Sequence, residues 1–222
     1  MTTTRAALLV LADGRFPAGG HAHSGGAEAA VKAGHLRNAQ DLEAFCLGRL
    51  HTTGLTSAAL AAAAAQGIDP LALDEAADAR TPSPALRNVA RRLGRQLMRA
   101  ARATWPSPAL AALAEARPRG AHQPVVLGLT AHAAGLGAAD AAHCVAYETV
   151  SGPATAVVRL LSLDPFEATA VLARLAPALD RVAEQAAEAA GQGIEALPAA
   201  SAPLLDIAAE AHAAWPVRLF AS

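Results

Sequence analysis

The sequence predicts an all-α, single-domain bundle of about ten short to medium helices over residues 1–222. Three observations carry that expectation. Alanine makes up about 28% of the chain, and alanine is the strongest helix former and a poor strand former. Proline follows Asp or Ser at Asp69-Pro70, Ser83-Pro84, Ser107-Pro108 and Asp164-Pro165, which places a capping oxygen just before a residue suited to the first helical position. No credible pair of strands is present; Val125-Val126-Leu127 is the best candidate and runs straight into a helical pattern.

Read between these marks, helices are expected near 24–34, 39–51, 53–66, 70–80, 84–104, 108–116, 124–135, 138–162, 165–190 and 203–214. Gly34, Gly67 and Gly191 sit where three of them should stop. The 138–162 segment is expected to break or kink at Ser151-Gly152-Pro153, and Pro177 to do the same to the next. Connections are short and no internal repeat or long linker divides the chain. A flexible N-terminal segment, about 1–23, and a C-terminal tail, about 215–222, flank the bundle.

Composition excludes several classes of function. A charged fraction of 17% against 53% hydrophobic residues excludes disorder. No long run of large aliphatics suits a membrane span, and no signal peptide is apparent. A net charge of −1 offers no general attraction for nucleic acid or anionic membranes. Of the 18 basic residues only Lys32 is a lysine, and its setting, Val31-Lys32-Ala33-Gly34, is not a phosphate-binding loop. Cys46 and Cys144 lie far apart in helical patterns, which points to a reducing, cytoplasmic compartment. Cys144 beside His143 reads as a buried thiol, because neighbours on a helix point in different directions.

The most distinctive stretch is Phe16 to Glu28, where Gly19, Gly20, Gly25 and Gly26 mark a sharply bending backbone. Ser24 is placed to cap the following helix, and Glu28 falls near its first turn. Sharper readings compete. Ala22-His23-Ser24-Gly25-Gly26 resembles a hydrolase nucleophile elbow but lacks the strand that motif needs. His21 and His23 are candidates for transient metal contact, since imidazole suits nickel and zinc. Glycine amides at a helix start offer a weak anion site. Arg87, Arg91, Arg95 and Arg99 form a stripe on one helix, read either as a solvated face offset by the acidic C-terminal third or as a docking face for an acidic partner. The C-terminal residues include Trp215, Arg218 and Phe220, types that dominate binding interfaces. They either fold back on the core or dock on another chain.

These residues together resemble the urease accessory protein UreF family. Leu8-Leu9-Val10-Leu11 precedes Pro17, Gly19, Gly20, Ser24, Gly26 and Glu28 in the family's order, with His21 where an aromatic is usual. Thr81-Pro82, Arg87, Arg91 and Gly94, then His122-Gln123-Pro124 through Gly128, continue it. Val157-Val158-Arg159-Leu160-Leu161 follows, but Ser162-Leu163 stands where the family has Gly-Gln. Arg218-Leu219-Phe220-Ala221-Ser222 matches the family's terminal pattern. The resemblance implies a non-enzymatic, all-α adaptor without a resident cofactor. It would bridge UreD (also called UreH) and the GTPase UreG while nickel enters the urease apoenzyme, as a homodimer within the complex. It further implies partner contacts at Trp215, Arg218, Leu219, Phe220 and Ser222, supported by Gly19, Gly20, Ser24, Gly26 and Glu28. The resemblance thereby favours docking for the tail. A helical nickel chaperone acting alone through His21 and His23 is the alternative.

Overall fold

The computed structural model describes residues 6–222. They form one all-α domain, with no strand among the described residues. The helices are α1 (Ala6–Ala12), α2 (Ala27–Lys32), α3 (Ala39–Arg49), α4 (Leu55–Ala65), α5 (Pro70–Ala79), α6 (Pro84–Thr104), α7 (Pro108–Ala116), α8 (Gln123–Ala133), α9 (Ala138–Leu161), α10 (Pro165–Ala190) and α11 (Pro203–Ala213). The segment expected to be flexible, about 1–23, begins outside the described residues; from Ala6 it forms α1 and a short 3₁₀ turn at Gly20–Ala22.

All four Asp/Ser-Pro pairs cap as their chemistry dictates. The Asp69 carboxylate accepts from the Leu71 and Ala72 amides, and Asp164 from Phe166. The Ser83 and Ser107 hydroxyls accept from Leu86 and Leu110. Gly34 and Gly67 adopt φ of 74° and 89° immediately past their helices, a region open to glycine at little cost.

The centre is α4, in which every residue except Ser57 is buried. It is surrounded by α8, α9 and α10. Alanine makes this possible by letting backbones come close. At the crossing with α8 a Cβ on Gly128 would lie 2.1 Å from the Ala61 carbonyl oxygen, so nothing larger than hydrogen fits.

Three expected interruptions do not separate helices. The 39–51 and 53–66 segments do not separate: Leu50–Gly54 forms a π turn that carries α3 continuously into α4. Gly54 in this turn packs on Thr149, whose Cγ2 would be 2.9 Å from a Cβ there. Helix α9 runs unbroken through Pro153. Proline cannot donate to the carbonyl four residues back, which here belongs to Thr149. Arg49 Nε donates to that oxygen instead, at 3.4 Å, and Cys46 Sγ lies 3.7 Å from the neighbouring Val150 oxygen. Substitute donors from α3 thus relieve the proline's penalty. Helix α10 likewise runs through Pro177 without a break.

The close crossing gives a paired test. Gly128→Ala is expected to destabilise by about 1–3 kcal/mol, because its Cβ meets backbone. Gly152→Ala, within α9 and with open space at its Cβ, is expected to stabilise by up to about 1 kcal/mol. Thermal and denaturant melts of the two variants check both signs.

Candidate functional site

The glycine-rich segment and the C-terminal residues, nearly two hundred positions apart in sequence, meet on one face. The Glu28 carboxylate, in the first turn of α2, accepts from the Leu219 amide at 2.7 Å and the Phe220 amide at 3.0 Å. It also accepts from His212 Nε2 at 2.9 Å. Burial works against the Glu28 charge, but the Leu219 amide, the His212 ring and the Phe220 amide together hold its pKa below the ordinary value. Ser24 is fully buried. Its amide and hydroxyl both donate to the Ser222 carbonyl oxygen, at 2.6 and 2.8 Å, and its Oγ accepts from the Glu28 amide at 3.3 Å. The Ala221 amide donates to the Ala22 carbonyl at 2.7 Å. His23 Nδ1 pairs with the Ser222 hydroxyl at 2.7 Å.

Glycine is required where this face turns. Gly19 and Gly26 hold φ of 84° and 90°. A Cβ on Gly26 would also crowd Leu205 at 3.2 Å, and one on Gly19 would collide with the Gln96 side chain. Gly20 is exposed and has no neighbour at its Cβ position.

The tail therefore folds back on its own chain. Phe220 is buried, with the Arg159 guanidinium 5.1 Å from its ring centroid. Trp215 stacks at a tilt on His212, and the Lys32 ammonium sits 3.8 Å from the Trp215 centroid. Arg218, Leu219 and Val217 remain exposed, Val217 at 83%. Of the two arrangements open for these residues, the intramolecular one is present, and it still leaves Val217 and Leu219 facing outward.

The profile of the UreF family matches residues 36–176. The chain belongs to the UreF family. It is 43% identical over 221 residues to the urease accessory protein UreF of Mycobacterium sp. (strain JLS), covering 99% of this chain and all of the relative. UreF of Mycolicibacterium vanbaalenii is 43% identical, with 98% of each chain covered. UreF of Mycobacterium tuberculosis (strain H37Rv) is 43% identical over 95% of each.

The nucleophile-elbow reading of this UreF-family segment fails on geometry. Ser24 follows a 3₁₀ turn rather than a strand, and its hydroxyl is buried and spent on Ser222. The two candidate metal histidines point to different partners: His21 Nε2 pairs with the Gly14 carbonyl oxygen, and His23 with Ser222. Among the described residues no group of three His, Cys, Asp or Glu side chains comes together to hold a metal. Cys144 is buried, and burial pushes its thiol up to about 12.

The arginine stripe is offset from two sides: α5 pairs with Arg91, and Glu210 of the acidic C-terminal third bonds Ser83 and the Ala85 amide beside Arg87. Arg91 pairs with Asp74 at 3.1 Å and with Asp78. Asp74, almost fully buried, also takes Arg117 Nε at 2.8 Å and the His122 amide at 2.8 Å. His122 Nε2 reaches Asp78 at 2.8 Å, while burial pulls its pKa down. Arg87 donates to the Thr81 and Pro82 carbonyls, and Arg95 stays exposed beside Arg92 and Arg119 along a basic groove. Asp74 and Asp78 stand four apart on α5, so one face presents both to the stripe; that spacing is the sequence signal for the network. His212 has no comparable local signal, because its partner is 184 positions away.

Glu28→Gln is expected to free the tail without unfolding the bundle. Amide hydrogen exchange at Leu219 and Phe220 should accelerate at least tenfold while α4 amides keep their protection. Because the folded-state pKa of Glu28 is depressed, its contribution is complete above the unfolded value of about 4.3 and is lost as pH falls through the folded value. Tail protection should therefore persist at neutral pH and disappear only in acid. A uniform rise in exchange across the molecule would contradict the assignment.

Proposed function

We propose that this protein is a non-enzymatic adaptor in urease maturation, acting in the cytoplasm. It joins the accessory protein UreD (UreH) to the GTPase UreG while nickel, as cargo, passes to the urease apoenzyme, and it works as a homodimer within that assembly. It keeps no resident cofactor. Membership of the UreF family supports the pathway. The observation that carries the adaptor role is the composite face where residues 215–222 lie on the 19–28 segment.

The face suits recognition for a physical reason. Most of its hydrogen bonds engage the tail backbone itself, so the tail is ordered before a partner arrives and less ordering entropy is lost on binding. Val217 and Leu219 present apolar surface on that ordered backbone, and Arg218 adds a charged rim. Phe220, Trp215, Ser24 and Glu28 contribute by holding the backbone in place, whereas Leu219, Val217 and Arg218 touch the partner. His21 lies exposed at the edge of the face and His23 beneath it; each stays a candidate for passing contact with nickel.

The double variant Val217→Asp, Leu219→Asp should leave far-UV circular dichroism and Tm unchanged, since both side chains are exposed. Capture of purified UreD and UreG should fall at least tenfold. Unchanged capture of both partners by the well-folded variant would remove this face from the adaptor role.

A further inference from the structure

Beneath the tail lies a cavity of about 340 Å³ whose walls come from α2, the α3–α4 junction, α6, α9 and α11. Four arginines line it, Arg49, Arg80, Arg92 and Arg218, against one acidic residue, Asp206. Carboxylates behind the wall are each bonded to it: Glu28 to His212, Asp78 to His122, Glu210 to the Ala85 amide, and Glu148 to Gln123 at 2.7 Å, with burial pushing Glu148 up to about 7.

Arg49 is the centre of this arrangement. Its Nε is spent on the Thr149 oxygen freed by Pro153, which fixes the guanidinium plane. Its terminal nitrogens have no hydrogen-bond or carboxylate partner among the described residues. Withdrawal from water lowers its pKa, so the fold bears a desolvation cost for a charge it does not neutralise. One terminal nitrogen lies 3.4 Å from the position a Cβ would take on Gly25, so the absence of a side chain there leaves the fork uncovered.

A second group points the same way. Thr53 Oγ1 is buried and lacks a hydrogen-bond partner among the described residues, yet Thr53 lines the cavity. It stands in the π turn Leu50–Gly54, a helix defect often found at functional sites. Native buried polar atoms are almost always paired. Arg49 and Thr53 stand four residues apart on the continuous α3–α4 segment and line the same space, one with a guanidinium held by Thr149 and the other with a hydroxyl. Arg92, exposed at the rim, contributes field without a bonded partner among the described residues; it also helps burial to lower the pKa of His23.

We propose that this cavity binds a small oxyanion, held by the terminal nitrogens of Arg49 and the hydroxyl of Thr53, with Arg92 supplying attraction at the entrance. A guanidinium fork matches the paired oxygens of a carboxylate, bicarbonate or phosphate, and threonine adds a donor.

The test uses the full-length protein alone, without partners, so its outcome is independent of the adaptor role. Acetate, bicarbonate and phosphate are each titrated at constant ionic strength against chloride, and Tm is followed. At least one should raise Tm saturably, and the anion that saturates at the lowest concentration separates planar from tetrahedral ligands. Arg49→Gln should abolish the rise and Thr53→Val should weaken half-saturation at least threefold. Arg174→Gln, a surface arginine paired with Glu43, should leave it unchanged. If Arg49→Gln does not fold, Arg92→Gln is used and should weaken half-saturation at least threefold. No saturable rise with any of the three anions, or an equal rise in the arginine variants, would overturn the proposal.

Discussion

The burial of α4 on all sides constrains everything around it. A helix with no polar face must be enclosed, and one built largely from alanine gains little from each buried side chain. Compensation has to come from distance: with thin side chains the neighbouring backbones approach until dispersion contacts are dense. That is why α8 presents Gly128 at the crossing, and why the α3–α4 junction swells into a π turn against Thr149 instead of ending and restarting. The large residues Phe16, Trp105, Trp215 and Phe220 are left to the periphery, where Phe16 stacks on Trp105 at 5.8 Å and Phe220 seals the tail.

Outside that apolar centre, two carboxylates organise the polar architecture in the same manner. Asp74 gathers Arg91, Arg117 and the His122 amide, and so pins α5, α6 and the approach to α8. Glu28 gathers His212 and the Leu219 and Phe220 amides, and so pins α2, α11 and the tail. Charge-assisted hydrogen bonds of this kind are stronger than neutral ones. Each clamp joins segments far apart in sequence, so charge-assisted bonds add to apolar packing at the edges of this bundle while order at its centre is steric.

What was legible in the sequence follows from the range of the forces involved. Caps at Ser83, Ser107, Asp69 and Asp164 act over three residues, and local pattern alone located them. The glycines at 19 and 26 were legible as bends because positive φ is a local property. Pro153, expected to break or kink its helix, does not break it, because Arg49, about a hundred positions earlier, supplies a donor in place of the missing one. The offset of the arginine stripe was legible in part: the acidic C-terminal third does supply Glu210 beside Arg87, but net charge along the chain says nothing about Asp74 and Asp78 facing Arg91. The family motifs did mark the two halves of the candidate face, Ser24 and Glu28 at one end and Leu219 and Phe220 at the other. They did not show that these halves bond directly to each other.

Lys32 is the chain's sole lysine, and its ammonium rests on the Trp215 ring. Amine chemistry on this protein is therefore almost a single-site affair. The one side chain that an acylating or cross-linking reagent can address is also the one that touches the tail's indole. Whatever lifts the tail changes both the reactivity of that amine and the fluorescence of its aromatic neighbour, so the molecule carries its own reporter at the hinge between bundle and tail.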